Sequence, residues 1–155
     1  AFEPTSAKLA ISAFYSNTRR DCRFLVAKGF EDSSRLGLQR LYGIAPAGYT
    51  RIGPAVRHAL EVLARTGARR RLILLLTDAK PTDYDHYEGH YGVQDVRQAL
   101  REAGEQGVHC LALAVRDEGE AYLTQMFGLH GWMLLPDVHS LPGRFVSMAT
   151  DFLRS

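Results

Sequence analysis

Leu72-Ile73-Leu74-Leu75-Leu76 is an uninterrupted apolar run of strand length, bounded by Arg69-Arg70-Arg71 on one side and Thr77-Asp78 on the other. A strand with one wet face alternates apolar and polar residues. A continuous run instead predicts a strand covered on both faces, which is the habit of parallel sheets packed between layers of helices. Val108 to Val115 is a second segment of the same kind.

The segments around these runs have helical periodicity. From Gly53 to about Arg65, the residues Val56, Ala59, Leu60 and Leu63 fall on one helix face, and Pro54 suits the first turn, where its missing N–H has no partner to lose. Gly67 ends that segment. Val93, Val96, Leu100 and Ala103 mark another amphipathic helix, stopped by Gly107. Glu118 to Phe127 reads as a helix, Trp132 to Leu135 as a short strand and Ser140 to Leu153 as a closing helix. Strand and helix therefore alternate from residue 53 onward, predicting an α/β fold with a doubly wound, mostly parallel sheet and helices on both faces. Upstream, Lys8 to Tyr15 and Cys22 to Ala27 are β-leaning runs joined by the polar stretch Ser16 to Asp21, which predicts a hairpin. Ser33 to Leu41 reads as a short helix capped by Asp32 or Ser33.

A chain of 155 residues has room for one domain, and 46% apolar with 23% charged residues is ordinary for a packed globular protein. Lys and Arg number 19 against 17 Asp and Glu, too small a surplus to point to nucleic acid. Cys22 and Cys110 are the only cysteines and both lie in apolar segments, so reduced thiols and a cytoplasmic protein are expected, with no membrane span.

In an open α/β sheet, ligands bind beyond the carboxyl ends of the parallel strands. Two loops qualify. Thr77-Asp78-Ala79-Lys80-Pro81-Thr82-Asp83-Tyr84-Asp85 leaves the strongest strand with three carboxylates, and Gly48-Tyr49-Thr50-Arg51-Ile52-Gly53 leads into the first helix. An Asp and a Thr on converging loops can supply oxygen ligands to a hard cation such as Mg²⁺. Equally, Asp78 can cap a turn and Thr50 a helix. His86-Tyr87-Glu88-Gly89-His90 places two histidines four apart, but Tyr87 stands where a zinc protease has its general base and Gly89 opposes helix, so this segment reads as an exposed insertion beside the loop. His58 reads as a buried structural histidine, and Arg57 beside it can reach an acidic neighbour. Trp132 reads as core. There is no Gly-x-Ser-x-Gly and no Gly-rich phosphate loop with Lys.

Gly48-Tyr49-Thr50-Arg51-Ile52-Gly53-Pro54-Ala55-Val56-Arg57-His58-Ala59, followed by the segment from Leu75 through Thr77-Asp78-Ala79-Lys80-Pro81-Thr82-Asp83 to Asp95, resembles the von Willebrand factor A domain of the NorD/CbbO family of nitric oxide reductase and rubisco activation proteins. The resemblance runs from about Ala10 to the C-terminus. It implies a metal-ion-dependent adhesion site in which Thr50 and Asp78 are ligands to Mg²⁺, or to Mn²⁺ or Ca²⁺, with a further Asp-x-Ser-x-Ser element that these residues do not contain. Ala79 stands where the family usually has Gly, and Thr82 where it often has Asn. The resemblance further implies a non-catalytic adaptor. A carboxylate of a target enzyme, rubisco or nitric oxide reductase, would complete the coordination, and a hexameric MoxR-type AAA+ ATPase would remodel that target. Tyr49, Arg51, Lys80, Asp83, Asp85, His86, Tyr87 and Glu88 are the expected partner contacts. In this fold the absent element follows a central strand, so residues 1–155 are expected to be one von Willebrand factor A domain, N-terminally incomplete, without its first strand and first helix. The rival readings are a Mg²⁺-dependent phosphoryl-transfer enzyme using Asp78, Asp83 and Asp85, and an extracellular adhesion domain of the same fold.

Overall fold

The computed structural model describes residues 7–78, 89–115 and 120–154. The chain begins with an antiparallel hairpin, β1 (Ile11–Thr18) and β2 (Asp21–Lys28). The turn is shorter than the polar stretch suggests, because Ser16 to Thr18 belong to β1 and only Arg19 and Arg20 connect the strands. Side chains hold this end closed. Asn17 Nδ2 donates to Asp21 Oδ2 at 2.7 Å, and the Arg20 amide donates to Thr18 Oγ1 at 3.2 Å.

Helix α1 (Ser34–Tyr42) starts where Ser33 Oγ accepts the Leu36 amide at 3.3 Å, as the capping residues predict. It lies close on β2: a Cβ on Gly37 would come within 2.9 Å of Lys28 Cβ. Then come α2 (Ile52–Ala64), β3 (Arg71–Thr77), α3 (Gly89–Glu105), β4 (Val108–Ala114), α4 (Glu120–Phe127), β5 (Trp132–Leu134) and α5 (Leu141–Arg154). His90, expected in a loop, lies in the first turn of α3 with Tyr91. Gly89 stands at the very start of the helix with φ +62°, outside right-handed helical geometry, a conformation that glycine adopts without strain.

β3, β4 and β5 pair in that order and in parallel, in register from Arg71↔Val108 to Thr77↔Ala114 and from Ala112↔Trp132 to Ala114↔Leu134. Side chains alternate across a strand, and β4 shows both faces in use. Ala112 and Ala114 join Ile52, Val56 and Leu60 of α2, Val93, Val96, Ala99 and Ala103 of α3, and Leu123 and Met126 of α4. Leu113 faces the other way, onto Leu135 and Met148 of α5. Helices thus cover both faces of a parallel sheet, the α/β arrangement expected. Trp132 packs, half-buried, at the edge of the larger core.

One expectation is corrected. β3 is not buried throughout: Leu75 and Thr77 are, but Leu72, Ile73 and Leu74 are only partly covered and Leu76 is 51% exposed. The described strands form two sheets, β1-β2 and β3-β4-β5. Among the described residues, neither β1 nor β3 has a strand on its second side, so side chains near those edges lack a neighbouring row to pack against.

Candidate functional site

The loop carrying Thr50 is pinned to the hairpin by backbone pairing. Ser16, fully buried on β1, exchanges two hydrogen bonds with Tyr49, N→O at 2.9 Å and O←N at 2.8 Å. Gly48 makes this approach possible. It has φ +58°, and a Cβ there would sit 2.4 Å from the Ser16 carbonyl oxygen. Tyr49 is exposed, Thr50 is half-buried, and Arg51 is 7% exposed and occupies the position before α2.

Arg51 makes no side-chain capping bond to that helix, and the first turn of α2 holds no acidic residue. Charge for its N-terminus comes instead from α3. The Asp95 carboxylate lies over Gly53, so near that a Cβ on Gly53 would be 2.0 Å from Oδ2. Arg57, one turn on, donates to Asp95 Oδ1 at 2.7 Å and through Nε to Glu102 Oε2 at 2.7 Å, so one guanidinium ties α2 to two turns of α3. The hydrogen bonds to Glu102 and Asp95 raise the Arg57 pKa further, against the opposing effect of burial. The hydrogen bond from Arg57 holds the Glu102 carboxyl below its ordinary value, with help from Gln98. The acidic neighbour expected for Arg57 is therefore a pair.

These contacts fix the direction of α2. Residues 53 and 57 meet residues 95 and 102 in ascending order, so α2 and α3 run roughly parallel. α3 ends beside the start of β4, only Gln106 and Gly107 intervening, and therefore runs opposite to the strands. The N-terminus of α2, with Thr50 just before it, accordingly lies at the rim formed by the C-terminal ends of β3 and β4. Asp78 lies at the same rim, exposed and directly after Thr77, whose carbonyl accepts the Val115 amide at 3.1 Å. Lys80, Asp83, Asp85, His86, Tyr87 and Glu88 lie outside the described residues.

A hydroxyl and a carboxylate on one rim are donors of the type a hard cation takes, although Mg²⁺ wants about six oxygens in octahedral geometry. Among the described residues no group of three or more His, Cys, Asp or Glu is placed to hold a metal. Thr50 and Asp78 thus match such an ion in chemistry and supply part of a coordination shell.

His58 is exposed rather than buried. Its ring lies 4.4 Å from that of Phe24, at the wall of a cavity of about 220 Å³ between the hairpin and α2 that Arg51 and Pro54 also line. The histidine falls on the outer side of α2 and the hairpin reaches over it, a neighbour that helical periodicity does not reveal. Neither Cys22 nor Cys110 is in a disulfide. No helix among the described residues is long and apolar enough to cross a membrane.

The model of the von Willebrand factor type A domain family matches residues 2–143. The NorD protein of Stutzerimonas stutzeri is 39% identical over 148 residues, covering 92% of this chain and 24% of that protein. The NorD protein of Brucella abortus is 39% identical over 136 residues, covering 87% and 22% respectively. The chain thus spans about a quarter of the length of these curated relatives. Among solved structures, manganese-loaded Plasmodium vivax TRAP protein superimposes with a TM-score of 0.65 at 12% identity, over 90% of this chain and 56% of that one. That similarity concerns the fold alone.

Proposed function

The chain belongs to the von Willebrand factor type A domain family, in the form carried by NorD proteins, and from that membership we propose that it is a non-catalytic, metal-dependent protein-binding module. Thr50 and Asp78 supply a hydroxyl and a carboxylate to a divalent cation, Mg²⁺ or alternatively Mn²⁺ or Ca²⁺. A carboxylate from a partner protein takes a remaining position. Tyr49 and Arg51 flank that contact, with Lys80, Asp83, Asp85, His86, Tyr87 and Glu88 on the neighbouring loop. The observation that supports this reading is the rim shared by the two loops: α2 and β3 bring to one end of the sheet two residues that lie 28 positions apart in the chain. The manganese carried by the TRAP protein makes a divalent ion a reasonable occupant of such a rim.

In the whole protein, the module acts as an adaptor in the cytoplasm. It presents a target enzyme, nitric oxide reductase or rubisco, to a MoxR-type AAA+ ATPase, in which the hydrolytic chemistry resides. We further propose that a strand seated between β1 and β3 completes the sheet and that an Asp-x-Ser-x-Ser element completes the metal site. Among the described residues no strand lies on the second side of β3, nor on that of β1, which carries only the Ser16–Tyr49 bridge; this and the exposure of Leu76 support the reading.

The test is target capture by the full-length protein in Mg²⁺ and in EDTA. Asp78→Ala should abolish the Mg²⁺-dependent fraction with the melting temperature unchanged, and Thr50→Ala should reduce it. Capture that is indifferent to both EDTA and Asp78→Ala would rule the reading out.

A further inference from the structure

Away from the rim, α3 and α4 leave an open groove of about 560 Å³ between them. Leu100 on α3 and Met126 and Phe127 on α4 give it an apolar floor, and Arg97 and Arg101 line one wall. The two arginines stand one helical turn apart and both are exposed. Among the described residues neither side chain takes part in a hydrogen bond or ion pair. That contrasts with Arg57 on the neighbouring helix, whose guanidinium is held by two carboxylates. Like charges at this spacing repel and destabilise a helix slightly, and although Glu105 stands one turn beyond Arg101 on α3, no carboxylate among the described residues forms an ion pair with either arginine.

We propose that this groove is a second protein-docking surface, whose occupant is an acidic amphipathic segment of a partner protein. Such a segment would carry two carboxylates one turn apart, to pair with Arg97 and Arg101, and an apolar side chain between them to seat on Leu100 and Phe127. Complementary charge is the argument for an acidic partner, since two unpaired guanidiniums gain most from carboxylates that they can meet through charge-assisted hydrogen bonds. The apolar floor is the argument for a protein segment: an amphipathic helix laid in a groove buries apolar side chains there, which a phosphate backbone cannot do. The overall charge of only +2 also gives little general attraction for a polyanion. The surface is independent of Thr50 and Asp78.

Fluorescence anisotropy with the full-length protein tests this. The probe is a fluorescein-labelled helical peptide with two glutamates one turn apart flanking a leucine. The wild type should bind it saturably, and the double reversal Arg97→Glu with Arg101→Glu should weaken binding by about tenfold or more. Replacing the two glutamates of the peptide by lysines should restore binding to the reversed variant. The neutral pair Arg97→Gln with Arg101→Gln should fall between, with an unchanged melting temperature. Equal affinity for wild type and reversed variant, or no saturable binding by the wild type, overturns the proposal. So does displacement of the peptide by phosphatidylglycerol vesicles or single-stranded DNA with higher apparent affinity, which would make the groove a polyanion site.

Discussion

Gly53→Ala places one methyl group where the structure has no room for it. The added Cβ would lie 2.0 Å from Asp95 Oδ2, 2.6 Å from Cγ and 3.1 Å from Oδ1. Those distances are far inside van der Waals contact, so the carboxylate must leave, and with it the 2.7 Å hydrogen bond from Arg57. A hydrogen bond to a charged group contributes about 1.5–3 kcal/mol. The side chains here are 35% and 20% exposed, so solvent screening brings the expected loss to roughly 1–2 kcal/mol. Against it, replacing Gly by Ala inside a helix gains at most about 1 kcal/mol, and less in the first turn. Loss of a carboxylate at the helix N-terminus costs a further ~0.3–1 kcal/mol. The net expectation is a destabilisation of about 1–2 kcal/mol, read as a lower urea midpoint at unchanged slope. The double-mutant cycle with Asp95→Ala isolates the cause. Once the carboxylate is gone, Gly53→Ala should be neutral or slightly stabilising, so the two substitutions couple by about 1–3 kcal/mol. A coupling below roughly 0.5 kcal/mol would refute the close approach of Asp95 to the start of α2.

Acid should weaken the same clamp. Glu102 is held below its ordinary value by Arg57, so its contribution is complete above the unfolded value near 4.5 and is lost as pH falls through the lower folded value. Glu102→Gln should flatten that part of the stability profile, and a profile identical to wild type between pH 5 and 2 would count against it. Thiol labelling with a chromogenic disulfide at pH 8 should modify the exposed Cys22 quickly. Cys110 should react only slowly, because burial pushes its thiol up to about 11, and equal rates would contradict its placement. Leu113→Ala, at a fully buried position between β4 and α5, should cost about 2–5 kcal/mol in urea unfolding. A loss under 1 kcal/mol would mean that α5 does not cover that face.

Local pattern accounted for much of this molecule before any coordinates. The apolar run at Leu72 to Leu76, the 3.6-residue spacing of Val56, Leu60 and Leu63, and the stops at Gly67 and Gly107 are signals a few residues wide, and they sufficed for the alternation of strands and helices. Thr50 and Asp78 stood out through the family resemblance, since by spacing alone Thr50 can cap a helix and Asp78 a turn. Their shared rim followed once the elements were ordered. What depended on the tertiary structure joins residues remote in sequence: Ser16 with Tyr49, Gly53 with Asp95, Arg57 with Glu102, and the wall of Arg97 and Arg101 with the floor of Phe127. A single glycine or arginine in a helix has no periodicity that names its partner, because the partner is chosen by how two helices pack. The exposure of Leu76 belongs with these. A continuous apolar run says that a strand prefers to be covered, but only the neighbours along its edge decide whether it is.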